Sequence, residues 1–161
     1  EIASEVGVGA GALYNHFATK QDLLVELMVA HMEALLAAWA EANTPDAAPQ
    51  ARLEAFARFH ISFHADRSDE VFVAYMELRS LDRPNFHHIE KMRREYEAQL
   101  EAILTDGAAA GVFRVEDPRV AAMAIIAMLT GVTSWYRQGG RLSAARIEEI
   151  YVDMVACTVR P

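Results

Sequence analysis

Cysteine is almost absent from this chain: Cys157 stands alone among 161 residues, which excludes an internal disulfide framework and any multi-cysteine metal cluster. A reducing, intracellular and therefore cytoplasmic compartment is expected. Basic charge is scarce too, with 15 Lys and Arg against 23 Asp and Glu and a formal net charge of −8. Such a chain does not coat nucleic acid or an anionic membrane over its whole surface, so any anion contact must be local. A leader is also missing: the chain opens Glu1-Ile2-Ala3-Ser4 with neither a basic nor an apolar targeting segment, and it reads as the remainder of a longer protein. Long apolar runs are lacking as well. The longest stretch without charge is Val120 to Tyr136, whose apolar block Val120 to Leu129 falls short of the roughly 20 residues of a membrane span, so no membrane partner is expected.

What is present is enough hydrophobic residue, 53% against 24% charged, for one sizeable core. Only 5 prolines occur, none of them between Gln50 and Arg83 or between Arg119 and Arg160, and no alternating β pattern appears. The fold class is therefore all-α. Lys20 to Ala42 places Leu24, Leu27, Met28, His31, Leu35 and Trp39 on one helical face. Gln50 to Arg67 repeats the pattern with Leu53, Phe56, Ala57, His60, Phe63 and His64, and a shorter helix follows over about Asp69 to Leu81. Arg83-Pro84 opens a long helix that Gly111 closes. Asp117-Pro118 opens another that should run to about Arg137, and Ser143 caps the last, whose face carries Ile147, Ile150, Tyr151, Met154 and Val155.

The first twenty residues carry the strongest local signal. A helix-turn-helix needs a small residue at the helix crossing, a glycine free to take positive φ in the turn, and flanking apolar residues. Ala3, Gly7 and the set Ile2, Val6, Val8, Leu13 and Phe17 meet those demands. Residues Ala10 to His16 then form a short recognition helix, with Tyr14 and His16 able to reach phosphates and Ala10, Ala12 and Asn15 near base edges. The run Gly7-Val8, Gly11, Leu13-Tyr14, His16-Phe17 and Lys20, followed by Leu23-Leu24, closely resembles the DNA-binding signature of the tetracycline-repressor (TetR) family of bacterial transcription regulators. The resemblance implies a partial helix-turn-helix over residues 1–20, lacking its first helix, and a ligand-binding and dimerisation domain over residues 21–161. It assigns DNA contact to Gly9, Ala10, Ala12, Tyr14, Asn15, His16 and Lys20, the last at a helix start that favours a phosphate.

Departures from that signature have consequences. Gly9, Ala10 and Ala12 stand where the family usually has hydrogen-bonding side chains, so methyl contacts and DNA shape must carry more of the recognition. Over residues 1–42 the single basic residue Lys20 faces Glu1, Glu5, Asp22, Glu26, Glu33 and Glu41, a net of −5. By itself this stretch is expected to bind DNA weakly or not at all.

A repressor of this kind encloses an apolar effector pocket, for which Phe56, Phe59, His60, Phe63, Met76, Arg79, Met123 and Ile126 are the candidates. His60 and Arg79 lie among apolar neighbours, where a polar group must pair internally or meet a ligand. His60 and His64 have a metal-ligand spacing, but Ile61 replaces the glutamate of a metalloprotease helix and no third ligand is evident; no metal and no cofactor are expected. There is no nucleophile elbow and no phosphate-binding loop, so the chain is not expected to be an enzyme. Segments from Arg93-Arg94 through Gly111-Val112-Phe113-Arg114 to Trp135-Tyr136-Arg137 look similar to TetR-type repressors of fatty-acid and steroid catabolism. That similarity implies an acyl-coenzyme A type of effector, with Arg79, Arg83, Lys91, Arg93 or Arg94 as a basic rim for its phosphates.

Met128, Val132, Trp135, Tyr151, Met154 and Val155 make more apolar surface than one helix pair hides, and the family buries that surface in a two-fold homodimer. The expected function is a ligand-responsive repressor of operator DNA, with a small apolar or acyl-coenzyme A effector shifting the helix that starts at Lys20. Two alternatives stay open: a small all-α lipid carrier or enzyme with no DNA role, and a regulator answering drugs or other apolar molecules.

Overall fold

The computed structural model describes residues 17–161, and the described residues form helices with no strand among them. In chain order these are α1 (Lys20–Ala42), α2 (Pro49–Ala65), α3 (Ser68–Met76), a single 3-10 turn (Leu78–Ser80), α4 (Arg83–Ala109), α5 (Pro118–Thr130), α6 (Val132–Trp135) and α7 (Ala144–Thr158). Their boundaries follow local chemistry. Thr19 and Asp22 form a reciprocal capping box at the start of α1, the Thr19 hydroxyl accepting from Asp22 N–H at 3.2 Å and the Asp22 carboxylate from Thr19 N–H at 2.9 Å. Asp82, Asp117 and Ser143 cap α4, α5 and α7, and proline occupies the first turn of α2, α4 and α5, where its missing N–H is harmless.

Two expected helices are divided. The segment after Arg67 ends as α-helix at Met76 and tightens into the 3-10 turn at Leu78–Ser80. The helix expected to reach Arg137 is interrupted at Gly131, where Thr133 Oγ1 donates to the carbonyl of Thr130 at 2.8 Å and Ser134 Oγ to that of Gly131 at 2.7 Å. Hydroxyls that capture main-chain carbonyls in this way compete with the helical ladder.

Helix α2 is the hub and packs against α1, α4, α5, α6 and α7. Its stripe of Leu53, Phe56, Ala57 and Phe63 joins Leu35 and Trp39 of α1, Tyr96, Leu100, Ile103 and Leu104 of α4, Ile125, Ile126 and Leu129 of α5, and Val155 of α7 in one core. At the end of α4 the chain reverses through Gly111 at φ +69 and drops the Phe113 ring onto Gly107. A Cβ at Gly107 would lie 1.9 Å from that ring, so only glycine fits there. Leu24, Met28, Val71, Ala74 and Ile89 are buried outside this cluster, where α3 packs on α1. Both Lys20–Ala42 and Pro118–Trp135 are long and apolar enough to cross a membrane by length and composition. In α1, however, the inward residues feed the core while Asp22, Glu26, Glu33 and Glu41 stay exposed.

Candidate functional site

The inward stripe of α2 brings two histidines into the apolar interior, and α1 adds a third: His60, His64 and His31 are 0%, 1% and 2% exposed. Their rings lie against one another at a tilt, with centroids 4.2 Å apart at 44° for His60 and His64 and 5.4 Å apart at 45° for His31 and His64. Burial pushes the His60 pKa well below its usual value, helped by the charges of His64 and His31 when protonated. The ring is therefore neutral at pH 7, with one donor and one acceptor nitrogen.

The partners fix which is which. His60 Nδ1 lies 3.1 Å from Tyr96 Oη, and Nε2 lies 2.9 Å from Thr130 Oγ1, which in turn sits 3.4 Å from Tyr75 Oη. Tyr96 is 2% exposed and burial raises its pKa, so its hydroxyl keeps a proton that needs an acceptor. Tyr96 O–H donates to Nδ1, Nε2–H donates to Thr130 Oγ1, and Thr130 O–H donates to Tyr75. Reversing the chain would strand the Tyr96 proton in the core, whereas the half-buried Tyr75 hydroxyl can be left to solvent.

Two arginines border this polar interior. Arg67 lies 4.2 Å above the Phe63 ring and donates to the Phe63 carbonyl at 2.7 Å, while Arg93 lies 4.2 Å above the Tyr75 ring. Both guanidinium charges help burial to depress the pKa of His31, whose Nδ1 is paired with a Glu70 carboxylate oxygen at 3.3 Å. The result is a polar core spanning α1 to α5, walled by aromatic rings and bounded by cations.

Of the sequence candidates for the effector pocket, Phe56, His60, Phe63 and Ile126 are buried together, and Phe59 is half-buried against Trp39 with ring centroids 5.2 Å apart. Three do not join them. Val71 and Ala74 are the inward residues of α3, which turns Met76 outward to 65% exposure. Arg79 follows in the 3-10 turn and is exposed. Met123 lies off the Ala122, Ile125, Ile126 and Leu129 face of α5 and is 42% exposed, beside Val120 at 56%. Among the expected basic rim, Arg83, Lys91 and Arg94 are exposed, Arg94 paired with Glu90 at 2.8 Å, and Arg93 alone turns inward.

The expected dimer face also divides. Val132 and Val155 are buried in the chain's own core, and Met128 and Tyr151 are partly buried against it. Trp135 and Met154 remain exposed, and with Val120 and Met123 they are the large apolar side chains that α5, α6 and α7 leave uncovered. Clefts of about 230 Å³ and 310 Å³ lie away from the histidine core, the first between α2 and α7 around Leu53, Phe113 and Val159, the second around Trp135, Arg141 and Leu142. His60 and His64, whose spacing suits a metal, lie ring against ring at a 44° tilt, and no group of three or more His, Cys, Asp or Glu is arranged to hold a metal ion among the described residues.

Of the expected DNA contacts, Gly9, Ala10, Ala12, Tyr14, Asn15 and His16 lie outside the described residues, and Lys20 is the exposed first residue of α1. Sequence reasoning passed over Gln21. Its Nε2 donates to the carbonyl of Ser80 at 2.6 Å and its Oε1 accepts from Asp82 N–H at 3.1 Å. The first turn of α1 is thus clamped to the main chain where α3 gives way to α4. Tyr75, Tyr96 and Thr130 were also missed, since nothing in helical periodicity distinguishes a hydroxyl that meets a buried histidine from any other.

Residues 46–159 match the family described as Tetracyclin repressor-like, C-terminal domain, and residues 1–27 match Bacterial regulatory proteins, tetR family. The HTH-type transcriptional repressor KstR2 of Mycobacterium tuberculosis is 29% identical over 159 residues, covering 96% of this chain and 78% of its own. A tetR-family regulatory protein from Rhodococcus RHA1 has a similar structure, with TM-score 0.90, 31% identity, and 99% of this chain and 84% of the other covered. The structure of AibR in complex with isovaleryl coenzyme A and operator DNA is similar at TM-score 0.86 and 26% identity, over 96% of this chain and 84% of the other. The chain belongs to the tetracycline-repressor family of bacterial regulatory proteins and is a ligand-responsive, DNA-binding transcriptional repressor.

Proposed function

We propose that this repressor is a cytoplasmic homodimer without catalytic activity that releases its operator when an apolar, acyl-coenzyme A type of effector enters the polar core spanning α1 to α5. Residues 21–161 form the effector and dimerisation domain, and the segment before them reads DNA. One observation carries this: α1 is a wall of the site through His31 and also the direct continuation of the motif, and Gln21 clamps its first turn to the start of α4. An effector that parts α1 from α2 and α4 must turn the start of α1, and with it the spacing of two recognition helices in successive major grooves.

The effector class is supported by the aromatic interior bordered by Arg67 and Arg93, and by the isovaleryl coenzyme A bound to AibR. Trp135, Met154, Val120 and Met123 supply the exposed apolar part of the dimer face.

The test is fluorescence anisotropy of the full-length protein on DNA from its own upstream region, titrated at fixed salt with a long-chain acyl-coenzyme A and separately with the free acid. Release by the thioester alone supports the proposal, with the arginines reading phosphate. Release by neither removes the acyl-coenzyme A class, and release by the free acid alone assigns the arginines to a carboxylate.

A further inference from the structure

Two imidazole nitrogens in the core have no partner among the described residues, His31 Nε2 and His64 Nε2. Their chemistry is fixed by what the other nitrogen of each ring does. His64 Nδ1 lies 2.7 Å from the carbonyl oxygen of His60, and a carbonyl only accepts, so the ring proton is on Nδ1. His31 Nδ1 lies 3.3 Å from a carboxylate oxygen of Glu70, and the same reasoning puts its proton on Nδ1. Burial keeps both rings neutral at pH 7: it holds the His64 pKa at about 4, and it lowers that of His31 more than Glu70 raises it. Each Nε2 is therefore a bare lone pair facing the interior.

Nothing nearby among the described residues supplies a proton to either. Arg67 donates to the Phe63 carbonyl and lies over the Phe63 ring, Arg93 lies over Tyr75, and the Tyr96 hydroxyl is engaged by His60 Nδ1. The two acceptors sit on adjoining rings of α1 and α2, with centroids 5.4 Å apart. Buried acceptors are nearly always paired, and a pair of orphans on neighbouring rings is a site that lacks its donor.

We propose that the His31 and His64 Nε2 pair is a binding site for a hydrogen-bond donor, an O–H or N–H group carried on the otherwise apolar body of the effector. This rests on the effector reading above and deepens it: the ligand is recognised by a proton it donates, and an analogue without that proton is rejected. A hydroxyl on the apolar body and an amide N–H in a flexible arm share this chemistry.

Matched probes that differ only in the donor decide the matter by calorimetric titration of the full-length protein. Decanol is compared with decyl methyl ether, and N-methyldecanamide with N,N-dimethyldecanamide. One recovered hydrogen bond at a buried acceptor predicts about ten- to hundredfold tighter binding of the donor-bearing member of a pair. The pair that shows the preference tells hydroxyl from amide. In His64→Leu the ratio falls to about one while the circular dichroism spectrum and melting temperature stay at or above those of the parent, because the orphan acceptor is gone. His31→Phe gives a second, independent variant. Equal binding within both pairs, as a resident water already bonded to the two nitrogens would produce, overturns the proposal. So does a preference that survives both substitutions, or the absence of binding by every probe. A donor preference in a protein whose DNA anisotropy ignores acyl thioesters upholds the donor site and discards the effector class instead.

Discussion

Removing a single oxygen atom, in Tyr96→Phe, probes the buried hydrogen-bond chain. Phenylalanine fills nearly the same volume and keeps the ring contacts of Tyr96 with Phe56 and His60, whose centroids lie 5.2 Å and 5.8 Å away. What disappears is the proton given to His60 Nδ1, on a residue that is 0% exposed, so water does not replace it. The imidazole cannot escape by moving its own proton. With hydrogen on Nδ1 the orphan becomes a donor, and without it an acceptor, so either tautomer leaves one buried group unpaired. The loss is about 1–3 kcal/mol, or about 2–4 °C in Tm per kcal/mol for a chain of this size. Urea unfolding at fixed protein concentration, necessary for a dimer, reads it as a lower midpoint with an unchanged slope. The double substitution His60→Leu with Tyr96→Phe should lose less than the two single losses added together, because both partners are then apolar. A Tyr96→Phe protein within a few tenths of a kcal/mol of the parent would refute the reasoning, as would strict additivity.

Further outcomes follow from the same geometry. His64 titrates at about 4 in the folded chain against 6.5 unfolded, so between those values the unfolded chain binds the extra proton. Stability is then full above pH 6.5 and falls as pH drops toward 4, by about 3 kcal/mol at 1.36 kcal/mol per pH unit, with His31 and His60 acting in the same direction. Urea midpoints measured from pH 7.5 to 4.5 should trace that decline and His64→Leu should make it shallower, leaving the part due to His31 and His60; a level parent profile contradicts the assignment. Gln21→Ala removes two hydrogen bonds at a partly exposed residue, a loss of about 1 kcal/mol. It should tighten effector binding by the DNA-free protein severalfold, since the clamp no longer has to be broken, and reduce severalfold the change in operator affinity that effector produces, which paired calorimetry and anisotropy would detect. Trp135→Glu or Met154→Glu places a charge on the exposed apolar face and should yield monomers by light scattering, whereas dimers of unchanged affinity would remove that face from the interface.

The helices were legible because their signals are local. Asp117 and Ser143 as caps and Pro84 and Pro118 in first turns set the starts, and Gly111 set a stop, all within a few residues of chain. The core was legible from spacing, since Leu24, Met28, His31, Leu35 and Trp39 recur at three and four residues. The site was legible only on the helix that dominates it. His60, Phe56 and Phe63 follow from the α2 stripe, but their partners Tyr96 and Thr130 come from α4 and α5, and pairing across helices depends on crossing geometry that no single stripe encodes. Met76, Met123 and Arg79 are exposed for the converse reason: Met123 is one residue past the inward Ala122, Met76 two past the inward Ala74, and Arg79 lies in the 3-10 turn, and composition alone cannot place a side chain to within such a step. Val155 was assigned to a partner's surface because an apolar residue on a terminal helix looks alike whether it meets its own core or a second copy. Gln21 carries no periodic signal at all, and its role follows from the main chain it meets at Ser80 and Asp82.

An effector moves an equilibrium only by the difference in its affinity for the two arrangements, so the arrangement without effector must be poorer in contacts that the effector can restore. The two orphan acceptors supply such a difference. Each raises the free energy of the closed core by about 1–3 kcal/mol, and a donor removes that penalty only when it lies between α1 and α2. Helix α1 carries one of these acceptors at His31 and the clamp at Gln21, about 15 Å apart at 1.5 Å per residue. Between them the helix is continuous, and its first turn is held by the Thr19 and Asp22 capping box, so a displacement at His31 is not absorbed by fraying. The compliant element is then the clamp itself, two hydrogen bonds at a partly exposed side chain that join α1 to the junction of α3 and α4. Breaking those bonds is a local change that frees the start of α1 to rotate while the core around Trp39 and Phe56 stays packed, so the proposed mechanism predicts that control of DNA reading lies at Gln21 rather than in the core.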